Sequence, residues 1–476
     1  MSMEAGLPVE RLTRSAPAVP VGIVHLGLGA FFRAHGAVYI EEAMSASGGD
    51  WGILGVSLQS STMRDQLAPQ GGTYMALELG PEGETLRHVQ SVQDVLVARE
   101  NPSAVLEAMA DPGVRIVSLT VTEKGYCHEP STGRLNMAHP DIVQDLASDL
   151  PVSAPGFLVR ALALRKARGL APFTVLTCDN LPNNGQVVRG VVLDLARAVD
   201  PTLAAWIEAE GKFPSTMVDR IVPATKPEDV ARMEALIGAQ DAAPVFHEPF
   251  RQWVVEDDFV GGARPDLGAV GVQLVRDVTE YEHMKLRMLN GTHSALAYLG
   301  YLSGHETIAD CMADPVLDSF VQRLWSQEII PALTPPEGVA LADYAKALHA
   351  RYANPAIRHR TWQIAMDGSQ KLPQRILGTL ETNLAKGRPC PGLMLAVAAW
   401  MIYVRGTDLA GQPIEVKDPL APALRAAATS PDPVGALLSM RSVFPQRLAE
   451  TLEAPLRKAY AALLEHGARP TMQAAA

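Results

Sequence analysis

The first half of the chain alternates four short apolar runs with longer stretches of helical pattern. Continuous apolar runs of this length are typical of strands buried on both faces of a parallel sheet. Helical stretches such as residues 34–44 and 156–168 lie between them, and this alternation predicts an α/β fold with a doubly wound sheet. Such sheets bind ligands beyond the carboxyl ends of their strands. The four predicted strands cover residues 21–26, 51–58, 114–121 and 173–178.

The pattern changes after about residue 278, where long amphipathic segments rich in Ala and Leu replace the strand-like runs. The sequence therefore predicts a Rossmann-type dinucleotide-binding domain over residues 1–278. A mostly α-helical catalytic and substrate domain is predicted over residues 279–476. Residues 248–259 are predicted to form a strand and loop that close the first domain. We expect the active site to lie between the two domains.

The charge and hydropathy of the chain exclude several classes of protein. The 476 residues carry a formal net charge of −11, and Lys and Arg are scattered, so the basic patch of a nucleic-acid-binding protein is absent. No run of 18 apolar residues occurs, and the first 20 residues lack the apolar core of a signal peptide. We therefore expect a cytoplasmic protein with no membrane or nucleic-acid partner, present as a monomer or a weak homo-oligomer.

The cysteines indicate a reducing compartment and no metal centre. Cys127, Cys178, Cys311 and Cys390 lie far apart in the sequence, with no Cys-x-x-Cys pair. Neither cysteine nor histidine has the spacing of zinc ligands. The sequence therefore predicts chemistry that needs no metal.

A Gly-rich turn, Gly27-Leu28-Gly29, follows the first apolar run and precedes a helical stretch, which is the context of a dinucleotide-binding motif. Phe32 occupies the position of the usual third glycine, so the pattern also fits an isolated tight turn. No Asp or Glu follows the second strand, where an acid would bind a ribose 2′-hydroxyl. Arg64 is a candidate partner for a 2′-phosphate. The choice between NAD and NADP is therefore open on these residues.

One short segment brings together residue types suited to oxidising a secondary alcohol. A desolvated lysine, Lys285, can take the hydroxyl proton, while Asn290 and His293 can donate hydrogen bonds to the developing oxygen charge. Glu282 could pass the proton to solvent. At about 100° per residue on a helix, Glu282, Lys285 and His293 fall within roughly 80° of arc, with Asn290 about 60° beyond His293.

Simpler interpretations of the same segment stay open. Lys285 and Glu282 would also form an ordinary exposed pair three residues apart on a helix. His293 would then be a core histidine with its hydrogen bonds satisfied. The joint spacing weighs against these simpler interpretations but does not exclude them.

Seven ordered blocks of sequence resemble one known family. The chain is similar, over nearly its whole length, to the long-chain polyol and hexuronate dehydrogenases, which include mannitol 2-dehydrogenase and fructuronate reductase (mannonate oxidoreductase). The blocks are residues 27–35, 120–126, 178–185, 213–223, 248–253, 285–293 and 367–373.

The resemblance implies roles for individual residues. Lys285 matches the base of the family and Glu282 matches its proton-path glutamate. The oxygen-binding residues would be Asn180, Asn290 and His293. Residues that contact the sugar chain match Asp219 and Lys371. The resemblance favours NAD as the coenzyme, with NADP left open. The implied coenzyme-binding residues are Gly27, Gly29, Ala30, Phe31, Phe32, Arg33, Ser57, Gln59, Thr122 and Glu123.

The substrate branch is predicted from the segment before Lys371. Gln363 stands where the mannitol branch carries Arg, so the segment resembles the fructuronate reductase branch more closely. Arg358 and Arg360 could then pair with a uronate carboxylate, because a guanidinium binds a carboxylate in a bidentate fork. Their alternative role is ordinary surface charge.

These observations predict an NAD(P)-dependent, metal-independent dehydrogenase whose partner is a small sugar acid or polyol. The favoured reaction interconverts D-mannonate and D-fructuronate, and oxidation of D-mannitol or a related polyol is the alternative. A non-catalytic nucleotide sensor on the same fold is a third hypothesis, because fold alone does not fix function.

Overall fold

The computed structural model describes residues 10–129 and 132–475. Residues 1–9, within the first 20 residues that we expect to lack a signal peptide, lie outside the described residues. The chain divides into two compact units, Met1–Thr279 and Glu280–Ala476.

The first unit is built on a five-stranded parallel sheet with the strand order β5-β2-β1-β6-β7. The four strands predicted from the apolar runs form its centre and one edge, and the predicted parallel sheet is confirmed. The strands of the unit are β1 (Val21–Leu26), β2 (Gly52–Ser57), β3 (Tyr74–Gly80), β4 (Gly83–Val89), β5 (Val92–Val97), β6 (Ile116–Leu119), β7 (Thr174–Thr177), β8 (Thr216–Asp219), β9 (Val245–His247), β10 (Gln252–Glu256) and β11 (Gln273–Val275).

Apolar side chains cover both faces of this sheet. Successive residues of β1 alternate between two separate cores, with Val24 and Leu26 in one and Ile23 in the other. This alternation follows from the two-residue period of a strand. The helices of the unit are α1 (Ala30–Ala34), α2 (Gly36–Ser47), α3 (Thr62–Leu67), α4 (Pro102–Met109), α5 (Pro140–Ala147), α6 (Ala154–Ala167), α7 (Asn184–Val199), α8 (Pro201–Glu210) and α9 (Pro227–Ile237).

Two small sheets accompany the main one, with the strand orders β11-β10-β8 and β4-β3-β9. Strand β10 lies within the segment 248–259 that was predicted to form a strand and loop. It pairs antiparallel with β8, so that Gln252 lies opposite Asp219. The two small sheets thus enlarge the first unit beyond its five-stranded parallel sheet.

In the described part of the second unit the regular elements are all helices, and extended pairing is limited to isolated β-bridges at Thr307 and Thr407. This confirms the predicted helical domain. Its helices are α10 (Thr279–Met284), α11 (Thr292–Leu302), α12 (Ile308–Ala313), α13 (Pro315–Arg323), α14 (Leu341–Tyr352), α15 (Thr361–Ala365), α16 (Gly368–Leu372), α17 (Gly378–Leu384), α18 (Pro391–Tyr403), α19 (Ala421–Ala428), α20 (Pro433–Leu438), α21 (Gln446–His466) and α22 (Ala468–Ala474).

Three π-helical segments, Lys285–Gly291, Leu324–Ile329 and Pro373–Leu377, interrupt the second unit. The first joins α10 to α11 and packs against the other two. A side chain at Gly291 would place its Cβ 2.7 Å from the backbone oxygen of Arg375, so the two backbones meet where only glycine fits. Such segments occur often at functional sites.

Among the described residues, no helix is long and apolar enough to cross a membrane.

Candidate functional site

The Gly-rich turn directly follows β1. Gly27 has φ +91°, and a Cβ there would lie 2.2 Å from the backbone oxygen of Thr120, so this position requires glycine for two reasons. At Gly29 a Cβ would meet only the Gly27 oxygen, at 3.9 Å. The turn therefore leaves an open stretch of backbone at the carboxyl end of β1.

Phe32, at the position of the missing third glycine, packs against the strand. Its ring stacks on buried His25 of β1 with 3.3 Å between centroids. His25 Nδ1 lies 2.8 Å from Ser118 Oγ, and Nε2 lies 2.9 Å from Thr120 Oγ1. Burial lowers the pKa of His25 to about 3. The neutral imidazole thus connects β1, β6 and the turn.

The helix after the turn is broken at His35, where α1 ends and α2 begins at Gly36. Phe31 stacks on the His35 ring at 5.0 Å. The Arg33 guanidinium is buried and donates to the backbone oxygen of Ala243. A contact of Arg33 with a coenzyme would therefore have to come from its backbone.

Ser57 ends β2, and Gln59 is exposed two residues later. The guanidinium of Arg64, the candidate partner of a 2′-phosphate, is shared between Asp65 and Glu100. Its N–H groups are therefore already paired with carboxylates.

Asp179, which the sequence did not single out, connects the ends of β6 and β7. Its carboxylate accepts hydrogen bonds from the backbone N–H of Val121 and Thr122 and from the Tyr126 hydroxyl, at 2.7–3.0 Å. Burial raises its pKa, and these three donors oppose that effect. Thr122 has φ +65°. The carboxylate thus holds a strained loop that carries exposed Thr122 and Glu123, and exposed Asn180 follows it directly.

Asp219 is the last residue of β8 and is 3% exposed. It is therefore not an ordinary surface residue. Its carboxylate acts on His35, whose pKa burial lowers to about 3 and which Asp219 shifts upward by a smaller amount.

The predicted constellation in the second unit lies on one continuous helical run. Glu282 is on α10, Lys285 and Asn290 are in the π-helical segment, and His293 is on α11. Each of the four is at most 8% exposed, which excludes the alternative of an exposed Lys–Glu pair. The arcs expected at 100° per residue are wrong for this stretch, because a π-helix bonds residue i to i+5 and changes the angular step.

Side chains from elsewhere in the unit satisfy the backbone oxygens that the π-helical segment exposes. Trp325 Nε1 donates to the Met288 oxygen at 3.0 Å, and the Tyr352 hydroxyl donates to the Leu289 oxygen at 2.7 Å. The Thr292 hydroxyl also donates to the Met288 oxygen, at 2.6 Å. Tertiary contacts therefore stabilise the segment that carries the candidate base.

His293 is enclosed by other rings. It stacks on Tyr352 at 4.4 Å and meets His359 edge to face at 5.2 Å. Its Nε2 atom is buried without a hydrogen-bond partner, so it is not the satisfied core histidine of the simpler interpretation. Burial lowers its pKa well below the usual value, and the charges of Arg351 and Arg375 add to that effect.

The predicted substrate residues differ in their surroundings. Arg358 and Arg360 have side chains that are 70% and 45% exposed and lie 3.9 and 3.4 Å from the carboxylate of Glu306. Gln363 is exposed. Lys371, on α16, is partly buried, with Nζ 3.4 Å from the Ile364 oxygen. The two arginines therefore face outward beside an acid.

A group of possible metal ligands that the sequence spacing did not indicate lies in the first unit. Ligand atoms of Cys127, His139 and Asp141 are within 4.8 Å of one another. Burial raises the pKa of the Cys127 thiol to about 12, and Asp141 and Asp145 add to the shift, which opposes formation of the thiolate that a metal needs. None of the three belongs to the predicted catalytic or coenzyme residues.

Comparison with known proteins places the chain in a family. The profile of the mannitol dehydrogenase Rossmann domain matches residues 21–268, and that of the mannitol dehydrogenase C-terminal domain matches residues 277–464. D-mannonate oxidoreductase of Escherichia coli (strain K12) is 45% identical over 482 residues, 99% of each protein. Mannitol 2-dehydrogenase of Phaeosphaeria nodorum is 40% identical over 470 residues, 97% of this chain and 82% of that protein.

A solved structure agrees with these matches. Pseudomonas fluorescens mannitol 2-dehydrogenase, in a ternary complex with NAD and D-mannitol, has a TM-score of 0.89 and 36% identity, and the match covers 98% of this chain and 97% of that one. The family profiles and these relatives define the class as an oxidoreductase that acts on secondary alcohols. The chain belongs to the mannitol dehydrogenase family.

Proposed function

We propose that this oxidoreductase interconverts D-mannonate and D-fructuronate with NAD(H), and that Lys285 is its general base. The observation that carries the proposal is the burial of Lys285 on the same helical run as Asn290 and His293. Glu282, one turn earlier and also buried, completes the set as the proton path.

The chain's own residues would handle the proton and the oxygen. Lys285 accepts the proton of the substrate hydroxyl and passes it to Glu282. Asn290 and neutral His293 donate hydrogen bonds to the oxygen as it gains charge, and donors that are fixed beforehand stabilise that charge most. Asn180 of the first unit is proposed as a further donor. The nicotinamide coenzyme, when bound, supplies the hydride acceptor or donor.

The Gly-rich turn fits a dinucleotide. The backbone at Gly29 is open, and the neighbouring ends of β1, β2, β6 and β7 lie at one edge of the parallel sheet, where dinucleotides bind in this fold. The residues proposed to hold the coenzyme are Gly27, Gly29, Ala30, Phe31, Phe32, Arg33, Ser57, Gln59, Thr122 and Glu123.

NAD is the proposed coenzyme rather than NADP. Arg64, the candidate for a 2′-phosphate, is already paired with Asp65 and Glu100, so a phosphate would have to displace two carboxylates. The P. fluorescens neighbour is described in complex with NAD. Without an acid near Gln59, we expect the preference for NAD to be modest.

The substrate branch is supported by similarity and by one substitution. Identity is 45% to the E. coli D-mannonate oxidoreductase and 40% to the fungal mannitol 2-dehydrogenase, a difference too small to decide alone. Gln363 also supports the fructuronate reductase branch, because the resembling segment of the mannitol branch carries Arg at this position. Oxidation of D-mannitol is the second candidate, favoured by the structural match.

The test is a spectrophotometric assay of nicotinamide reduction with D-mannonate, D-mannitol, D-arabinitol and D-sorbitol, run with NAD and with NADP. We expect mannonate with NAD to give the highest kcat/KM, and treatment with EDTA to leave it unchanged. Turnover of mannitol without mannonate would select the second candidate. Loss of activity in EDTA with recovery in zinc would contradict the metal-free base, and coenzyme binding without turnover of any sugar would indicate a sensor.

A further inference from the structure

Successive side chains around His359 face the outside and the inside of the second unit in turn. Thr307 forms a β-bridge with Arg360, and the backbone N–H of Ile308 donates to the His359 oxygen at 3.0 Å. Extended backbone turns successive side chains to opposite sides. Arg358 and Arg360 accordingly reach Glu306 on the outside, while His359 between them faces inward to His293.

Two imidazole nitrogens in this interior lack protein partners. Nε2 of His293 and Nδ1 of His359 are both buried without a hydrogen bond. Buried polar atoms in native proteins are nearly always satisfied by protein, water or ligand. Two such atoms on adjacent rings therefore offer hydrogen-bonding positions to the polar groups of a ligand.

Arg375 brings a positive charge to the same place. It lies in the π-helical segment Pro373–Leu377, whose backbone meets Gly291, and its Nη1 donates to the Ser294 hydroxyl at 3.2 Å. Ser294 is the residue after His293. The charge of Arg375 lowers the pKa of both histidines, and Lys371 adds to the effect on His359.

These groups together match a sugar acid better than a neutral polyol. A guanidinium pairs with a carboxylate through two parallel hydrogen bonds, and the neutral imidazoles can bond to hydroxyl groups. A protein with a net charge of −11 needs a local concentration of positive charge to hold an anion. Partly buried Arg375 and Lys371 supply it beside the two histidines, whereas Arg358 and Arg360 face outward beside Glu306.

We propose that Arg375, beside His359, binds the terminal carboxylate of a hexuronate substrate, and that Arg358 and Arg360 do not. This assignment rests on the hexuronate function proposed above. It makes Arg375 the residue that distinguishes a sugar acid from a neutral sugar of the same length.

The test compares Arg375→Ala, Arg375→Lys and the matched control Arg360→Ala with the wild type. Reduction of D-fructuronate and of the neutral ketose D-fructose by NADH is measured for each, together with NADH affinity and Tm. Since a charge-assisted hydrogen bond contributes about 1.5–3 kcal/mol, we expect Arg375→Ala to lower kcat/KM for fructuronate about 10- to 100-fold, mainly through KM. Fructose turnover and NADH affinity should change less than about threefold.

The controls separate the possible failures. Arg375→Lys keeps the charge but loses the fork, so we expect an intermediate loss, and it replaces the alanine variant if that variant does not fold. A wild type that ignores fructuronate would overturn the proposed function and this assignment with it. A wild type that reduces fructuronate, with Arg375→Ala losing no more than Arg360→Ala, would overturn the assignment alone.

Discussion

His293 is neutral throughout the neutral pH range, because burial lowers its pKa well below the usual value and the nearby Arg351 and Arg375 charges lower it further. A neutral imidazole has one donor and one acceptor nitrogen. In the proposed mechanism it can thus stabilise the charge of a substrate oxygen without competing for the proton with Lys285, the proposed base.

Removal of the base should separate chemistry from binding. We expect Lys285→Ala to lower kcat by about 10²-fold or more, the usual scale for loss of a general base. Coenzyme affinity should stay unchanged, because Lys285 is not among the proposed coenzyme residues. Steady-state kinetics and a titration of NADH fluorescence measure the two quantities. The control is Lys346→Ala, at an exposed position on α14. Near wild-type turnover of the Lys285 variant would refute the assignment.

At the scale of elements, the two glycines of the turn after β1 have different tasks. Gly27 adopts φ +91° against the Thr120 backbone, whereas Gly29 has φ −85° and open space beside it. Only Gly27 is therefore required by the fold itself.

Substitution by alanine should reveal this difference. We expect Gly27→Ala to destabilise the first unit by about 1–3 kcal/mol or more through strain and overlap. Gly29→Ala should keep the wild-type Tm but weaken NAD binding, because its methyl group occupies the proposed coenzyme site. Thermal unfolding with and without NAD distinguishes the two variants. Equal coenzyme affinity in Gly29→Ala and the wild type would argue against a dinucleotide at this turn.

The central strands were predictable because continuous apolar runs of this length are typical of buried strands. Edge strand β5, with Gln93 and Asp94 among its valines, gave no such signal. The π-helical segments could not be predicted, because they depend on Trp325 and Tyr352 from distant parts of the chain. The sequence spacing placed Lys285, Asn290 and His293 on one run, and the structure shows all three buried. The outward direction of Arg358 and Arg360 could not be predicted, because it depends on a β-bridge to distant Thr307.

Across the whole molecule, buried neutral histidines tie stability to pH. Burial lowers the pKa of His25, His35 and His247 from 6.5 to about 3. In the unfolded chain these histidines bind protons at pH values where they stay neutral in the folded protein. The free energy of unfolding is therefore not reduced by these histidines above pH 6.5, and it declines as the pH falls from 6.5 toward 3.

We expect unfolding to take up about one proton per histidine between pH 6.5 and 5, which costs about 1.4 kcal/mol per pH unit for each. Partly buried Asp179 and buried Glu328, whose pKa values desolvation raises, bind protons in the folded state and offset part of this loss at lower pH. Denaturant unfolding across this range measures the slope for the wild type and for His247→Gln. The variant should show a slope smaller by about one proton, and an unchanged slope would contradict a neutral His247.

The π-helical segment Lys285–Gly291 also determines which mutations the protein can accept. A substitution leaves the angular register of the helix intact, but a one-residue deletion would let the segment revert to α-helical bonding. The Met288 and Leu289 oxygens would then return to helical bonding and lose the positions at which Trp325 and Tyr352 donate to them. Insertions and deletions here should therefore be more damaging than replacements at positions other than Lys285, Asn290 and Gly291. Relatives that share this site should accordingly keep the length of the segment.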